Sequence, residues 1–116
     1  MSLNKIDERP WGEFEVLVDE DYTKVKRITV KPNEQLSYQY HHNRNEVWTN
    51  VGGVGEVVIN DINYNFEYGH VITIFKEQKH RVKNVGDSDL IFIETQYGDS
   101  FDEDDIIRLE DKYNRK

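Results

Sequence analysis

Gln39 and His41 stand two residues apart, Glu46 follows after four intervening residues, Gly53 after six more, and His80 lies on a later segment. Side chains at i and i+2 of an extended strand point to one face. Gln39 and His41 can therefore aim together into a barrel, with Glu46 reaching the same point after a turn. This is the ligand spacing of a small metal-binding β-barrel. An amide, two imidazoles and a carboxylate suit a divalent ion such as zinc, manganese, iron, cobalt or nickel, and donor type alone does not choose among them.

The elements that must present these donors read as strands. Gly and Asn punctuate short stretches rich in Val, Ile, Tyr and Thr, so strands are expected near 12–18, 24–30, 35–41, 46–50, 55–59, 62–66, 70–74, 80–84 and 90–97. Such spacing favours an all-β, double-sheet jelly roll, whose closure hides strand edges. Pro32-Asn33 and Asn60-Asp61 supply turns. Only the end reads as helical. Ser100 and Glu103 form a capping box, the first turn is acidic, and Ile106, Leu109 and Tyr113 recur at helical spacing. The expected layout is one domain over 1–116: an N-terminal segment and first strand over 1–23, a barrel over 24–97, and a short C-terminal α-helix over 100–113.

Strand parity sorts the remaining candidates. If Gln39 and His41 face inward, so does Ser37, and His80, Val82 and Asn84 share a face. In 24–30 the core-forming set is Ile28 and Val30, which brings Lys26 with it. A lysine on that face is either a substrate contact or a rim lysine reaching back to water. Arg44 sits in the turn between two candidate ligands, where it can meet an anion. His42 has the wrong parity for the donor set, and His70, beside Gly69, reads as a turn residue. Trp48 shares the parity of Glu46 and walls the cavity, while Trp11 pins the N-terminal segment; both are assigned packing roles.

The 116 residues, 36% hydrophobic and 12% aromatic, support one modest core. There is no cysteine, hence no disulfide and no thiolate metal site. The polar start is not a secretory leader and no apolar run approaches a bilayer span, so a cytoplasmic protein without a membrane role is expected. Fifteen basic against twenty-three acidic side chains give a net charge of −8, which argues against nucleic acid as partner. An anionic small substrate then needs cations gathered locally. An edge strand or the C-terminal helix offers a surface for a homodimer.

Arg9-Pro10-Trp11-Gly12, Val25-Lys26-Arg27-Ile28, Leu36-Ser37-Tyr38-Gln39-Tyr40-His41 with Arg44, Glu46 and Trp48, then His80-Arg81, and finally Glu103-Asp104-Asp105-Ile106-Ile107-Arg108-Leu109-Glu110-Asp111 with Tyr113 and Arg115, carry a family likeness. In order, and over nearly the whole chain, they resemble the cupin domain of type II mannose-6-phosphate isomerases. In that family the domain usually forms the C-terminal part of a bifunctional enzyme that also carries a mannose-1-phosphate guanylyltransferase. The nucleotidyltransferase part is absent from this sequence, so a stand-alone isomerase-type cupin is expected. The resemblance implies a cupin-type double-stranded β-helix, Gln39, His41, Glu46 and His80 as metal ligands, and an active-site role for Arg108 and Arg115. The chain departs from the family at four places, two of them Val47, where a histidine is frequent, and Asn114, where a glycine is common before Arg115. Phe75-Lys76-Glu77 replaces Pro-x-Gly before His80, so the turn setting the register of His80 must be built otherwise, and Asn33 replaces a glycine at a place a left-handed backbone can accept.

The implied reaction is metal-dependent interconversion of mannose 6-phosphate and fructose 6-phosphate, feeding polysaccharide and nucleotide-sugar biosynthesis. A proton moves between C2 and C1 through a cis-enediolate, with Lys26 or Glu94 as candidate base. Lys26, Arg44, Arg81 and Arg108 form the cation pool for a sugar phosphate, with Ser37 as a further substrate contact. One alternative is a non-catalytic, metal-containing cupin that binds sugars or regulates. Another is a different enzyme on the same metal: another sugar-phosphate isomerase, an epimerase or a dioxygenase.

Overall fold

Period-two burial builds the sheets. In strand β3 (Lys24–Val30), Lys26, Ile28 and Val30 are buried, and in β5 (Arg44–Gly52) the buried set is Arg44, Glu46, Trp48 and Asn50. The computed structural model describes residues 5–113. The other strands among them are β1 (Ile6–Arg9), β2 (Gly12–Asp19), β4 (Tyr38–Tyr40), β6 (Gly55–Ile59), β7 (Ile62–Phe66), β8 (Val71–Ile74), β9 (His80–Asn84), β10 (Leu90–Gly98) and β11 (Ile107–Glu110). They form two antiparallel sheets, ordered β1-β2-β3-β10-β5-β8 and β11-β4-β9-β6-β7. Among the described residues no helix is long and apolar enough to cross a membrane.

The inward faces enclose a core of Phe14, Ile28, Val30, Val57, Phe66, Ile74, Val82, Leu90 and Phe92, with Trp11 and Trp48. Burying each large side chain contributes about 1.5–3 kcal/mol. Trp48 is the joint between core and polar interior: its ring centroid lies 4.9 Å from that of Phe92 and 5.6 Å from that of His80. The turn after β5 depends on Gly53, whose φ of 84° suits glycine and whose Cβ, if present, would sit 2.4 Å from the Asp89 carbonyl. Asn60 and Asp61 both adopt positive φ and close the β6–β7 hairpin.

The end of the chain corrects the sequence reading. The described part of 100–113 is not a helix; Ile107–Glu110 is a strand antiparallel to β4, with Arg108 opposite Gln39. Ser100 Oγ accepts from the Asp102 amide and Asp102 Oδ1 from the Asp104 amide, so both side chains bend the backbone locally instead of capping a helix. The free edge of β4 then supplies the pairing that local helical spacing lacked. Two smaller differences are the short strand β1, paired with β2, and the contraction of the 35–41 strand to three residues, with Gln35 making only an isolated bridge to Lys83.

Candidate metal centre

Three sheet positions bring the donors together. Gln39 on β4 pairs with His80, the first residue of β9. His41 follows just after β4, and Glu46 enters from β5, whose inward register also carries Arg44 and Trp48. Ligating atoms of His41, Glu46 and His80, all buried, lie within 4.8 Å of one another. His41 Nε2 is 3.1 Å from Glu46 Oε2, and His80 Nε2 is 4.0 Å from Glu46 Oε1.

The backbone decides which nitrogen each imidazole offers. His41 Nδ1 lies 2.6 Å from the Asp105 carbonyl and His80 Nδ1 2.9 Å from the Gln78 carbonyl, so both Nδ1 atoms act as donors. In the neutral rings this leaves the Nε2 lone pairs facing Glu46, the orientation that metal-binding histidines are given by such partners. The His41 and Glu46 acceptors meeting at 3.1 Å call for a proton or a cation between them, and His80 Nε2 is buried without a hydrogen-bond partner. A divalent ion fits this donor set. Burial pushes the His80 imidazole down to about 4, against the pull of Glu46. Burial also works against the Glu46 carboxylate, but His41, Arg44 and His80 outweigh it and hold the group well below the usual carboxylate range.

Gln39 and Ser37 share the predicted inward face. Ser37 Oγ donates to Gln39 Oε1 at 2.6 Å, fixing the amide beside the cluster. Arg44 is not in a solvated turn; it opens β5 and is buried, with Nε donating to Glu46 Oε2 at 2.8 Å, Nη1 to the Asp102 carbonyl at 3.3 Å, and Nη2 3.5 Å from His41 Nε2.

A cavity of about 120 Å³ opens beside this cluster. Its wall includes Gln39, Arg44, Lys26, Glu94, Arg108 and Glu103, with Trp11, Phe14 and Ile28 on the apolar side. Glu94, opposite Lys26 in the β10–β3 register, accepts from Trp48 Nε1 at 3.1 Å and from Gln96 Nε2 at 2.7 Å. Burial, with the charge of Glu46 second, pushes its carboxyl up to about 7. Lys26 Nζ donates to Glu103 Oε1 at 2.8 Å and sits 4.3 Å over the Phe14 ring.

The family described as "Mannose-6-phosphate isomerase C-terminal" matches residues 2–111. The chain belongs to that family. Among curated relatives, the mannose-1-phosphate guanylyltransferase ManC of Salmonella typhimurium is 40% identical over 107 residues, covering 92% of this chain and 22% of ManC. The xanthan biosynthesis protein XanB of Xanthomonas campestris is 42% identical over 107 residues, covering 92% of this chain and 23% of XanB. The chain thus spans less than a quarter of the length of these relatives. Among solved structures, the capsular polysaccharide assembling protein CapF of Staphylococcus aureus superposes with a TM-score of 0.82 at 25% identity, over 92% of this chain and 34% of CapF. The cupin domain of Schizosaccharomyces pombe Cnp3 superposes at 0.72 and 15% identity, over 75% of this chain and 64% of that one, a likeness of fold alone. The fold is the cupin double-stranded β-helix.

One described residue expected at the site is not gathered there. Arg81 has the opposite parity to His80 on β9; it lies 5.8 Å over the Tyr38 ring and 3.9 Å from Glu110, lining a separate cavity. Arg115 lies outside the described residues. Conversely, several polar roles at the site were not read from sequence, which gave Trp48 a packing role and Glu103 a capping one. The Trp48 indole N–H reaches both Glu46 and Glu94, and the Asp105 carbonyl orients His41. Glu103 joins Lys24 and Lys26, and Gln96 holds Glu94. Lys24 and Gln96 had a readable signal, the i+2 parity of Lys26 and Glu94. A backbone carbonyl has none.

The turn before His80 is built without Pro-x-Gly. Glu77 takes the left-handed position at φ 64°, its amide donates to the His41 carbonyl at 2.8 Å, and the Lys76 amide donates to Asn45 Oδ1 at 2.8 Å. Asn33 likewise adopts φ 67°, as the exchange for glycine predicts.

Proposed function

We propose that this domain is a metal-dependent aldose–ketose isomerase that interconverts mannose 6-phosphate and fructose 6-phosphate. The observation that carries this reading is the convergence of His41, Glu46 and His80 beside a cavity that also holds Glu94. A divalent ion held by His41, Glu46 and His80, with Gln39 alongside, would supply Lewis-acid stabilisation of the charge developing on the sugar oxygens. Glu94 is the base of choice: a carboxyl with a pKa near 7 can take the C2 proton and return it to C1. Lys26, already donating in an ion pair with Glu103, serves better as a cation than as a base. Trp48 and Gln96 orient the Glu94 carboxylate, and Ser37 orients Gln39. Arg44 and Arg108 join Lys26 as cations on the cavity wall for the substrate phosphate. Arg81 drops from that role because it faces the other cavity.

Family membership supports the reaction class, and the names of the relatives, among them xanthan and alginate biosynthesis proteins, support a place in polysaccharide precursor supply. Elemental analysis followed by a coupled assay on mannose 6-phosphate tests the proposal. His41→Ala is expected to lose both bound metal and turnover; full isomerase activity in that variant would overturn it.

A further inference from the structure

Lys24 and Lys26 share the inward face of β3, two residues apart, and one carboxylate holds both. Lys24 Nζ donates to Glu103 Oε2 at 3.0 Å and to the Phe101 carbonyl at 3.1 Å; Lys26 Nζ donates to Glu103 Oε1 at 2.8 Å. The lysine side chains are 12% and 6% exposed and the Glu103 side chain 44%. Both cations are therefore held in the protein, Lys26 in the cavity wall and Lys24 two residues before it on β3, and the more exposed anion is the outward, replaceable partner. Glu103 comes from residues 99–106, a strap of bends and turns that borders the cavity through Glu103 and Ile106. Lys26, Arg9, Arg44 and Arg108 all line that cavity in a chain whose net charge is −8. Such a concentration of cations is built for an anion.

We infer that Lys24 and Lys26 form a phosphate subsite that Glu103 fills in the unliganded chain, so that an incoming sugar phosphate must displace the Glu103 carboxylate to enter. The inference rests on the sugar-phosphate reading of this cavity and adds to it the position of the phosphate and an internal competitor. Two ammonium groups on the two oxygens of one carboxylate match two oxygens of a phosphate, which brings a larger charge to the same donors. A subsite open one-tenth of the time binds its ligand about tenfold more weakly than an open one. The cost of displacement is thus read directly as affinity.

The test is calorimetric titration of inorganic phosphate, mannose 6-phosphate and mannose into the wild type, Glu103→Gln and Lys24→Met, each checked for a cooperative thermal transition. Glu103→Gln is expected to bind phosphate and mannose 6-phosphate about tenfold more tightly, and Lys24→Met more weakly than the wild type, with mannose affinity unchanged in both. Unchanged or weaker phosphate binding by Glu103→Gln overturns the inference. A second readout needs no variant: phosphate added to the wild type should speed amide exchange at residues 101–105, and phosphate binding without that change also overturns it. The isomerase reading is judged separately, by turnover of mannose 6-phosphate. Tighter phosphate binding without turnover would sink the isomerase and leave the subsite, whereas turnover with unaltered phosphate affinity would do the reverse.

Discussion

Trp48 Nε1 lies 3.1 Å from Glu94 Oε1, and the same N–H lies 2.9 Å from Glu46 Oε1. One indole proton thus spans a carboxylate of the candidate metal set and the carboxylate proposed as base. The two groups titrate in opposite directions, Glu46 held down by His41, Arg44 and His80, Glu94 pushed up by burial and by Glu46 itself. Separation of two nearby carboxyls in this way assigns one to remain charged and the other to exchange protons.

Trp48→Phe keeps the aromatic contact with Phe92 and removes the shared donor. Leaving buried carboxylate oxygens without it costs about 1–3 kcal/mol. Denaturant unfolding should register that loss. The charged form of Glu94 loses its donor as well, so the limb of the pH–rate profile that reports the base should move to higher pH. A variant with wild-type stability and an unmoved profile would show that the indole only fills space.

In the metal-free protein, His80 and Glu94 give stability opposite slopes with pH. The His80 pKa falls from 6.5 unfolded to about 4 folded, so its contribution is present above about 6.5 and is lost as pH falls toward 4. The Glu94 pKa rises from 4.5 to about 7, so its contribution is present below about 4.5 and is lost as pH rises toward 7. Melting temperatures measured with a chelator from pH 4 to pH 8 should therefore separate the two. Glu94→Gln is expected to leave stability rising with pH across this window, and His80→Asn to leave it falling; the same slope in both variants would contradict the assignment.

How far the sequence carried is plain from particular residues. The 24–30, 55–59, 62–66 and 80–84 strands were readable to the residue because alternation and turn chemistry agree there. With Gln39 and His41 taken as inward donors, parity put Ser37 on the same face and His42 off it, and the core set of 24–30 brought Lys26 inward; Lys26, Ser37 and His41 are buried and His42 is exposed. The C-terminal segment misled because its helical spacing and capping signal are local, while the pairing of Ile107–Glu110 with Tyr38–Tyr40 is a contact across some seventy residues. Arg44 was read as a loop cation because nothing in the sequence shows that β5 begins at that residue and turns its guanidinium onto Glu46.

The turn before His80 carries removable strain. Glu77 holds φ 64°, where a side chain costs about 1 kcal/mol or more relative to glycine. Among the described residues its side chain makes one ion pair, with His42 at 3.8 Å and exposed, a pair of little worth. Glu77→Gly should raise stability by about 1 kcal/mol in chemical denaturation without altering bound metal. A destabilised variant would mean that the side chain makes a contribution its exposed position does not suggest.

Metal binding should appear as folding free energy, since His41, Glu46 and His80 come together only across separate strands. A ligand at a hundred times its dissociation constant stabilises the folded state by about 2.7 kcal/mol. For a domain of this size that corresponds to a rise in Tm on the order of 10 °C. Adding zinc, manganese, cobalt or nickel to chelator-treated protein, one ion at a time, then ranks the ions by the shift each produces. His41→Ala should abolish the shift because it removes a donor that meets Glu46 at 3.1 Å. His42→Ala is the matched control: it deletes a neighbouring imidazole that is exposed and outside the cluster. An equal rise in both variants would place the binding elsewhere on the surface and remove the buried triad from the chemistry.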